Sequence, residues 1–170
     1  MTPELFLFAL VIVAAATDLA ARRIPNLLPL SGLALALACQ LSGAGGGSAL
    51  SWLAGALAGL CLFLPFYALH GMAAGDVKLM AAVGAFVGPL LALKIGLVTF
   101  VVGGAMACAI LLATGRVGAC LRNLGILLRA CDWRARRAAG APVVIVSVGG
   151  IPYAVAIALS TIGVLMWERA

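Results

Sequence analysis

Five acidic side chains occur in the sequence, and two of them, Asp18 and Asp76, stand where a carboxylate is costly. Glu4 and Glu168 flank apolar runs at their outer ends, and Asp132 lies among arginines that can pair with it. Asp18 comes late in an apolar run that begins at Leu5. At ~1.5 Å per helical residue it sits roughly 20 Å into a hydrocarbon layer about 30 Å thick. A charge at membrane depth costs ~2.5–3.5 kcal/mol, less near the interface. An ion pair with Arg22, one helical turn on, is the structural alternative. Asp76 follows Gly75 at the start of another apolar run, where an isolated aspartate serves as a helix N-cap. Together the two support a different chemistry. Neighbouring carboxyls in a low dielectric cannot both ionise easily, so one holds a proton while the other acts as a base. The base takes a proton from water, and the water attacks a peptide carbonyl. The acid polarises that carbonyl and later protonates the leaving amine. The protons belong to the pair, so neither residue carries a fixed role.

Such chemistry requires elements that bring Asp18 and Asp76 to one place. Of 170 residues 65% are hydrophobic and 9% charged, against roughly 25% charged in a soluble domain. The chain cannot cover a water-facing globule, and its solvent is largely lipid. Apolar runs at 5–21, 27–41, 49–69, 77–93, 95–114 and 143–167 predict an all-α polytopic integral membrane protein. It has about six transmembrane helices, in one transmembrane domain over residues 1–170. Arg22, Arg23, Lys78, Arg116, Arg122, Arg129, Arg134, Arg136 and Arg137 fall in alternate connections, whereas Lys94 and Arg169 fall on the other side. The positive-inside rule then puts both termini outside the cytoplasm and both aspartates at its inner face. The net charge of +6 therefore reads as a topology signal rather than a nucleic-acid footprint.

Smaller features complete this reading. The first run carries Glu4 and no basic residue ahead of it, so it reads as a retained helix rather than a signal peptide. Gly55-x-x-x-Gly59 and Gly84-x-x-x-Gly88 place small residues one turn apart, which permits close helix approach, with the general abundance of glycine in membrane helices as the equal alternative. Within the basic segment at about 115–140, residues 120–131 hold Leu121, Leu124, Leu127, Leu128 and Cys131 at helical spacing with Arg122 and Arg129 off that stripe. It reads as an interfacial helix on anionic lipid, with a solvated basic loop as the alternative. None of the five cysteines forms a C-x-x-C pair, so no metal site is expected. His70 is expected to be a polar helix end at the interface.

Residues 71–79, Gly-Met-Ala-Ala-Gly-Asp-Val-Lys-Leu, resemble the G-x-G-D segment of the prepilin peptidases, which is typically followed by V-K-L. The stretch from Asp18 through Arg22, Arg23, Ile24, Pro25 and Asn26 is similar to that family's first catalytic segment, an Asp followed by a basic residue and I-P-N. Ile151-Pro152-Tyr153 and the residues up to Ile157 are similar to its last-helix segment. The resemblance implies an aspartic endopeptidase of the bacterial inner membrane. Such an enzyme cuts the basic leader from type IV pilin-like precursors, just before their apolar helix, on the cytoplasmic side. It further implies Asp18 and Asp76 as the catalytic pair, with Gly75, Lys78, Arg23, Pro25 and Asn26 in support, and no metal or other cofactor. Ala73 stands where the pattern has its first glycine, and alanine serves there if the backbone needs no positive φ. No insert with paired cysteines separates 22 from 26, so the chain resembles the minimal form associated with Flp-type pili, without N-methylating activity. Other Asp-pair membrane proteases of the presenilin type lack the I-P-N segment. A small proton or cation transporter using the same aspartates is the rival from another class. It expects acids near the bilayer midplane and repeated broken helices, whereas both aspartates here map near one interface.

Overall fold

In the computed structural model, residues 3–43, 48–69, 71–115 and 152–170 are described. His70, the stripe at 120–131 and the arginines from Arg116 to Arg137 lie outside them. The described residues form six helices: α1 (Pro3–Ala21), α2 (Leu27–Leu41), α3 (Ala49–Ala68), α4 (Ala74–Val87), α5 (Pro89–Ala113) and α6 (Tyr153–Trp167). No strand occurs among the described residues. By length and composition α1, α3 and α5 can each cross a membrane, and α2 and α6 are shorter apolar helices. This is the all-α architecture of a polytopic membrane protein. Met1–Gly103 and Pro152–Ala170 form one compact unit, and Gly104–Ile151 belong to a second. The helix contacts and the candidate site lie within the first unit.

The fourth helix differs from the sequence expectation in length and in role. Hydropathy predicts a run over 77–93 with a turn at Lys94, but α4 ends at Val87 and α5 begins at Pro89. The break is made by Gly88, whose φ of +81° and ψ of 173° are open to glycine alone. Pro89 then opens α5, where its missing N–H and fixed φ suit the first helical position. The Gly88 amide bonds the Gly84 carbonyl at 2.8 Å and its own carbonyl accepts from Ala92 at 3.0 Å, so one residue closes α4 and starts α5. With 14 residues, α4 is only about 21 Å long. It is the packing centre of the unit: Asp76, Val77 and every residue from Leu79 to Ala85 are buried. Helices α1, α2, α3 and α6 all pack against it.

The closest of these contacts, α3 against α4, uses the glycines that the spacing singled out. A Cβ at Gly55 would lie 2.0 Å from the Gly84 carbonyl oxygen, and one at Gly59 would lie 2.4 Å from the Met80 carbonyl oxygen. The reverse also holds, since a Cβ at Gly84 would lie 2.2 Å from the Gly55 oxygen. Without side chains between them the two backbones touch, and in lipid such van der Waals contact is a main source of helix association. Helix α5 joins through aromatic rings. Phe100 stacks on Phe63 at 4.9 Å between centroids and meets Phe66 at 4.6 Å.

Charges segregate to the two ends of the unit. Glu4 at the start of α1 pairs with Arg169, and Lys94 pairs with Glu168 at 2.6 Å. The other end holds Asp18, Asp76, Lys78 and Asn26, about 21 Å from Glu4 along α1.

Candidate active site

The site begins where α1 stops. Arg22 adopts a φ of +50°, and its amide bonds the Asp18 carbonyl at 2.8 Å, closing the last turn of the helix. The left-handed region costs a non-glycine residue roughly 1 kcal/mol or more. In exchange the chain reverses within a few residues, Pro25 stiffens the turn, and the Leu28 amide returns to the Pro25 carbonyl at 3.0 Å to begin α2.

This turn lies directly against the start of α4. A Cβ at Gly75 would lie 3.1 Å from the Ile24 Cβ, so the absence of a side chain there lets the Ile24 side chain seat on the helix backbone. Lys78 donates from Nζ to Asn26 Oδ1 at 3.0 Å, a second tie between the same two segments. Of the residues expected to support the site, Gly75, Lys78 and Asn26 thus form one joint. Arg23 and Pro25 lie exposed on the turn beside it. Ile24 stands in the I-P-N segment but not among the expected supports, because its contact onto Gly75 has no signature in composition. Breaking the polar tie should have a modest effect: Lys78→Ala is expected to lower activity about two- to fivefold, as befits one exposed hydrogen bond of ~0.5–1 kcal/mol. Asn26→Ala added to it should lower activity little further, because both changes remove one interaction. Kinetics of the two single variants and the double variant check this.

Asp76 sits at the third position of α4 rather than at its N-cap. The cap residue is Ala73, whose side chain cannot cap. The Asp76 amide instead donates to the Ala73 carbonyl at 3.2 Å and so closes the first turn of α4. Ala73 has a φ of −78° and a ψ of 149°, extended backbone that alanine adopts without strain. The departure from glycine at this position therefore fits the local geometry. Ala73→Gly should leave activity within about twofold and lower stability by ~0.4–1 kcal/mol through added freedom of the unfolded chain. Thermal unfolding in detergent alongside an activity assay measures both.

Asp18 meets a partner from the far end of the sequence. The Ala154 amide, in the first turn of α6, donates to Asp18 Oδ2 at 3.2 Å in a buried contact. Pro152 precedes that turn and makes no side-chain cap, so the carboxyl of α1 caps α6 from another helix. The segment around Pro152 and Tyr153 stands out in the sequence, but nothing in it reveals that a backbone N–H there binds Asp18. Ile151 lies outside the described residues.

The two carboxyls lie at the same end of the bundle, on helices α1 and α4 that pack together, and the charge of Asp18 is felt at Asp76. Asp76 in turn acts electrostatically on the phenol of Tyr153. Asp18 is 9% and Asp76 6% exposed, so both are largely withdrawn from solvent yet not sealed. Asp18 accepts the Ala154 N–H, which orients its carboxyl while leaving oxygen lone pairs for a water or a reacting group. Among the described residues no third His, Cys, Asp or Glu joins them. Two buried carboxyls at one end of a helix bundle are an arrangement suited to activating water for general acid–base chemistry.

No curated protein and no solved structure matches the chain. A family model does match, over residues 5–111, a span that contains Asp18, the Ile24–Pro25–Asn26 turn, Asp76 and the glycine contact of α3 with α4. With more than half of its length matched, and with both candidate segments inside the match, the chain belongs to the type IV leader peptidase family.

Proposed function

We propose that this family member is an aspartic endopeptidase of the bacterial inner membrane that removes the leader from type IV pilin-like precursors of the Flp type. Asp18 and Asp76 are its catalytic pair, supported by Gly75, Lys78, Arg23, Pro25 and Asn26. The observation that supports this reading is the placement of two buried carboxyls, one from α1 and one from the start of α4, at a single end of the bundle. Arg22, Arg23 and Lys78 cluster in sequence around that same end, which the positive-inside rule assigns to the cytoplasm, with both termini on the opposite side.

The substrate chemistry agrees with this placement. A prepilin carries a basic leader ahead of an apolar helix. That helix can lie in the bilayer beside the bundle, and the scissile bond then falls at the water boundary. One carboxylate deprotonates a water there, the water adds to the scissile carbonyl, and the protonated partner donates to the carbonyl oxygen. Collapse of the tetrahedral intermediate expels the amine of the mature pilin, which takes the proton the first carboxylate removed from water, while one hydroxyl of the intermediate returns its proton to the second. A site at this depth obtains water, which the bilayer centre does not supply.

The test is reconstitution of the purified protein in liposomes with a Flp-type prepilin. Mass spectrometry should show one cut directly before the apolar helix, and an apolar peptide without the basic leader should remain whole. Intact prepilin, with a proton flux that vanishes in Asp76→Asn, would replace the protease by a transporter.

A further inference from the structure

We propose that Tyr153 and Gly103 are positioning residues for the carboxyl pair. The backbone notch at Gly103 seats the Tyr153 ring, and the seated ring holds the first turn of α6 where its Ala154 amide reaches Asp18. This rests on the reading that Asp18 and Asp76 do the chemistry.

The first turn of a helix leaves N–H groups without intrahelical partners, and in an apolar medium each needs another acceptor. Pro152 supplies none from its side chain, so Asp18 takes the Ala154 amide. The dependence is mutual. Asp18 orients its carboxyl on α6, and any rotation or slide of α6 carries that donor away. A hydrogen bond of 3.2 Å does not by itself fix a helix against such motion, and a second contact is needed at the same level.

Tyr153 provides it. The residue is next to Ala154, and its ring lies on the buried backbone of α5 at Gly103. A Cβ at Gly103 would come within 2.9 Å of the Tyr153 Cζ and 3.0 Å of Cε1 and Oη. These atoms are the stiff end of an aromatic ring, which cannot bend aside as an aliphatic tip can. The notch thus exists only with glycine, and it fixes the ring in both height and rotation.

Four variants and two readouts test the assignment: Gly103→Ala, Tyr153→Ala, Tyr153→Phe and the double Gly103→Ala/Tyr153→Ala. They are compared by prepilin cleavage and by amide hydrogen exchange over the first turn of α6. Gly103→Ala and Tyr153→Ala should each lower kcat at least ~10-fold with KM within about threefold, since misplacing a reacting group by roughly 1 Å costs up to ~100-fold. Both should raise exchange at the start of α6, as Asp18→Ala should by removing the acceptor. Tyr153→Phe keeps the ring and should recover most of what Tyr153→Ala loses. The double variant should be no worse than Tyr153→Ala, because without a ring nothing meets the added methyl. Wild-type kcat and exchange in Tyr153→Ala would overturn the proposal, as would simple additivity in the double variant. Should Gly103→Ala fail to insert, the two Tyr153 variants decide it from the other side of the contact. A wild-type protein that leaves prepilin whole defeats the protease reading, and the exchange measurements then still decide whether Tyr153 and Gly103 hold the Ala154 amide on Asp18.

Discussion

Asp18→Asn and Asp76→Asn, each alone, are expected to abolish prepilin processing, with losses of about 10³-fold or more, while both proteins still insert in the membrane. Asparagine keeps the size of aspartate, and at position 18 its carbonyl oxygen can still accept the Ala154 amide. What it cannot do is take a proton from water or return one to a leaving amine. General acid–base groups typically contribute ~10²–10⁴-fold, and members of one catalytic unit are strongly non-additive. The double variant should therefore be hardly worse than either single one. Stability should move the other way. Both carboxyls are at least nine-tenths withdrawn from solvent, and neutral amides relieve the cost of burying a charge beside another. Full-length precursor in cells producing either variant, with unfolding in detergent no easier than for the wild type, is the expected pattern. Mature pilin accumulating at the normal rate in either variant would remove that residue from the catalytic pair.

The second large effect is structural. Gly55→Leu should destabilise the fold by at least ~3 kcal/mol, near the upper end for overpacking of a core, and should abolish processing as well. The position offers no room: the first side-chain carbon alone would stand 2.0 Å from the Gly84 carbonyl oxygen and 3.0 Å from the Gly88 Cα. Those atoms are backbone and cannot rotate away, so α3 and α4 must separate. Separation would move α4, and α4 carries Asp76. Gly59→Leu meets the Met80 carbonyl in the same manner and should behave alike. Gly163→Leu is the internal control, because nothing lies within 4 Å of a Cβ there. It should leave stability within about 0.5 kcal/mol, as a substitution free of contacts does. Unfolding in denaturing detergent, measured for the three variants side by side, separates the outcomes. Equal stability of Gly55→Leu and Gly163→Leu would mean that α3 and α4 do not pack through their glycines.

Much of the architecture is legible from hydropathy because the bilayer is a simple solvent. It demands helices of limited length with few charges, so the runs at 27–41 and 49–69 coincide with α2 and α3 to within a residue. The glycine spacing announces a close helix pair for the same reason, since in lipid only small residues let backbones touch. Where hydropathy fails, at the junction of the fourth and fifth helices, it fails on physics it does not measure. The residues on both sides of Gly88 are equally apolar. The break is set by a backbone angle that glycine alone adopts and by a proline suited to open α5 but not to extend α4. Nor does hydropathy distinguish a helix facing lipid from one surrounded by other helices, and α4 proves to be the latter.

The same division runs through the candidate site. Reading along the chain is enough to show which residues are too costly to be incidental: Asp18 and Asp76, acids in apolar surroundings, and the short segments around them. The penalty for a carboxylate in lipid depends on residue type and depth, and both of these are properties of one segment. The partners of those residues emerge only from the packed bundle. That Asp18 is capped by an amide 136 residues away, that Ile24 rests on Gly75, that Lys78 holds Asn26, and that Tyr153 lies on Gly103 are each matters of helix rotation and register. Rotation and register are set by the packing of several helices at once, and no single segment encodes where its neighbours will stand.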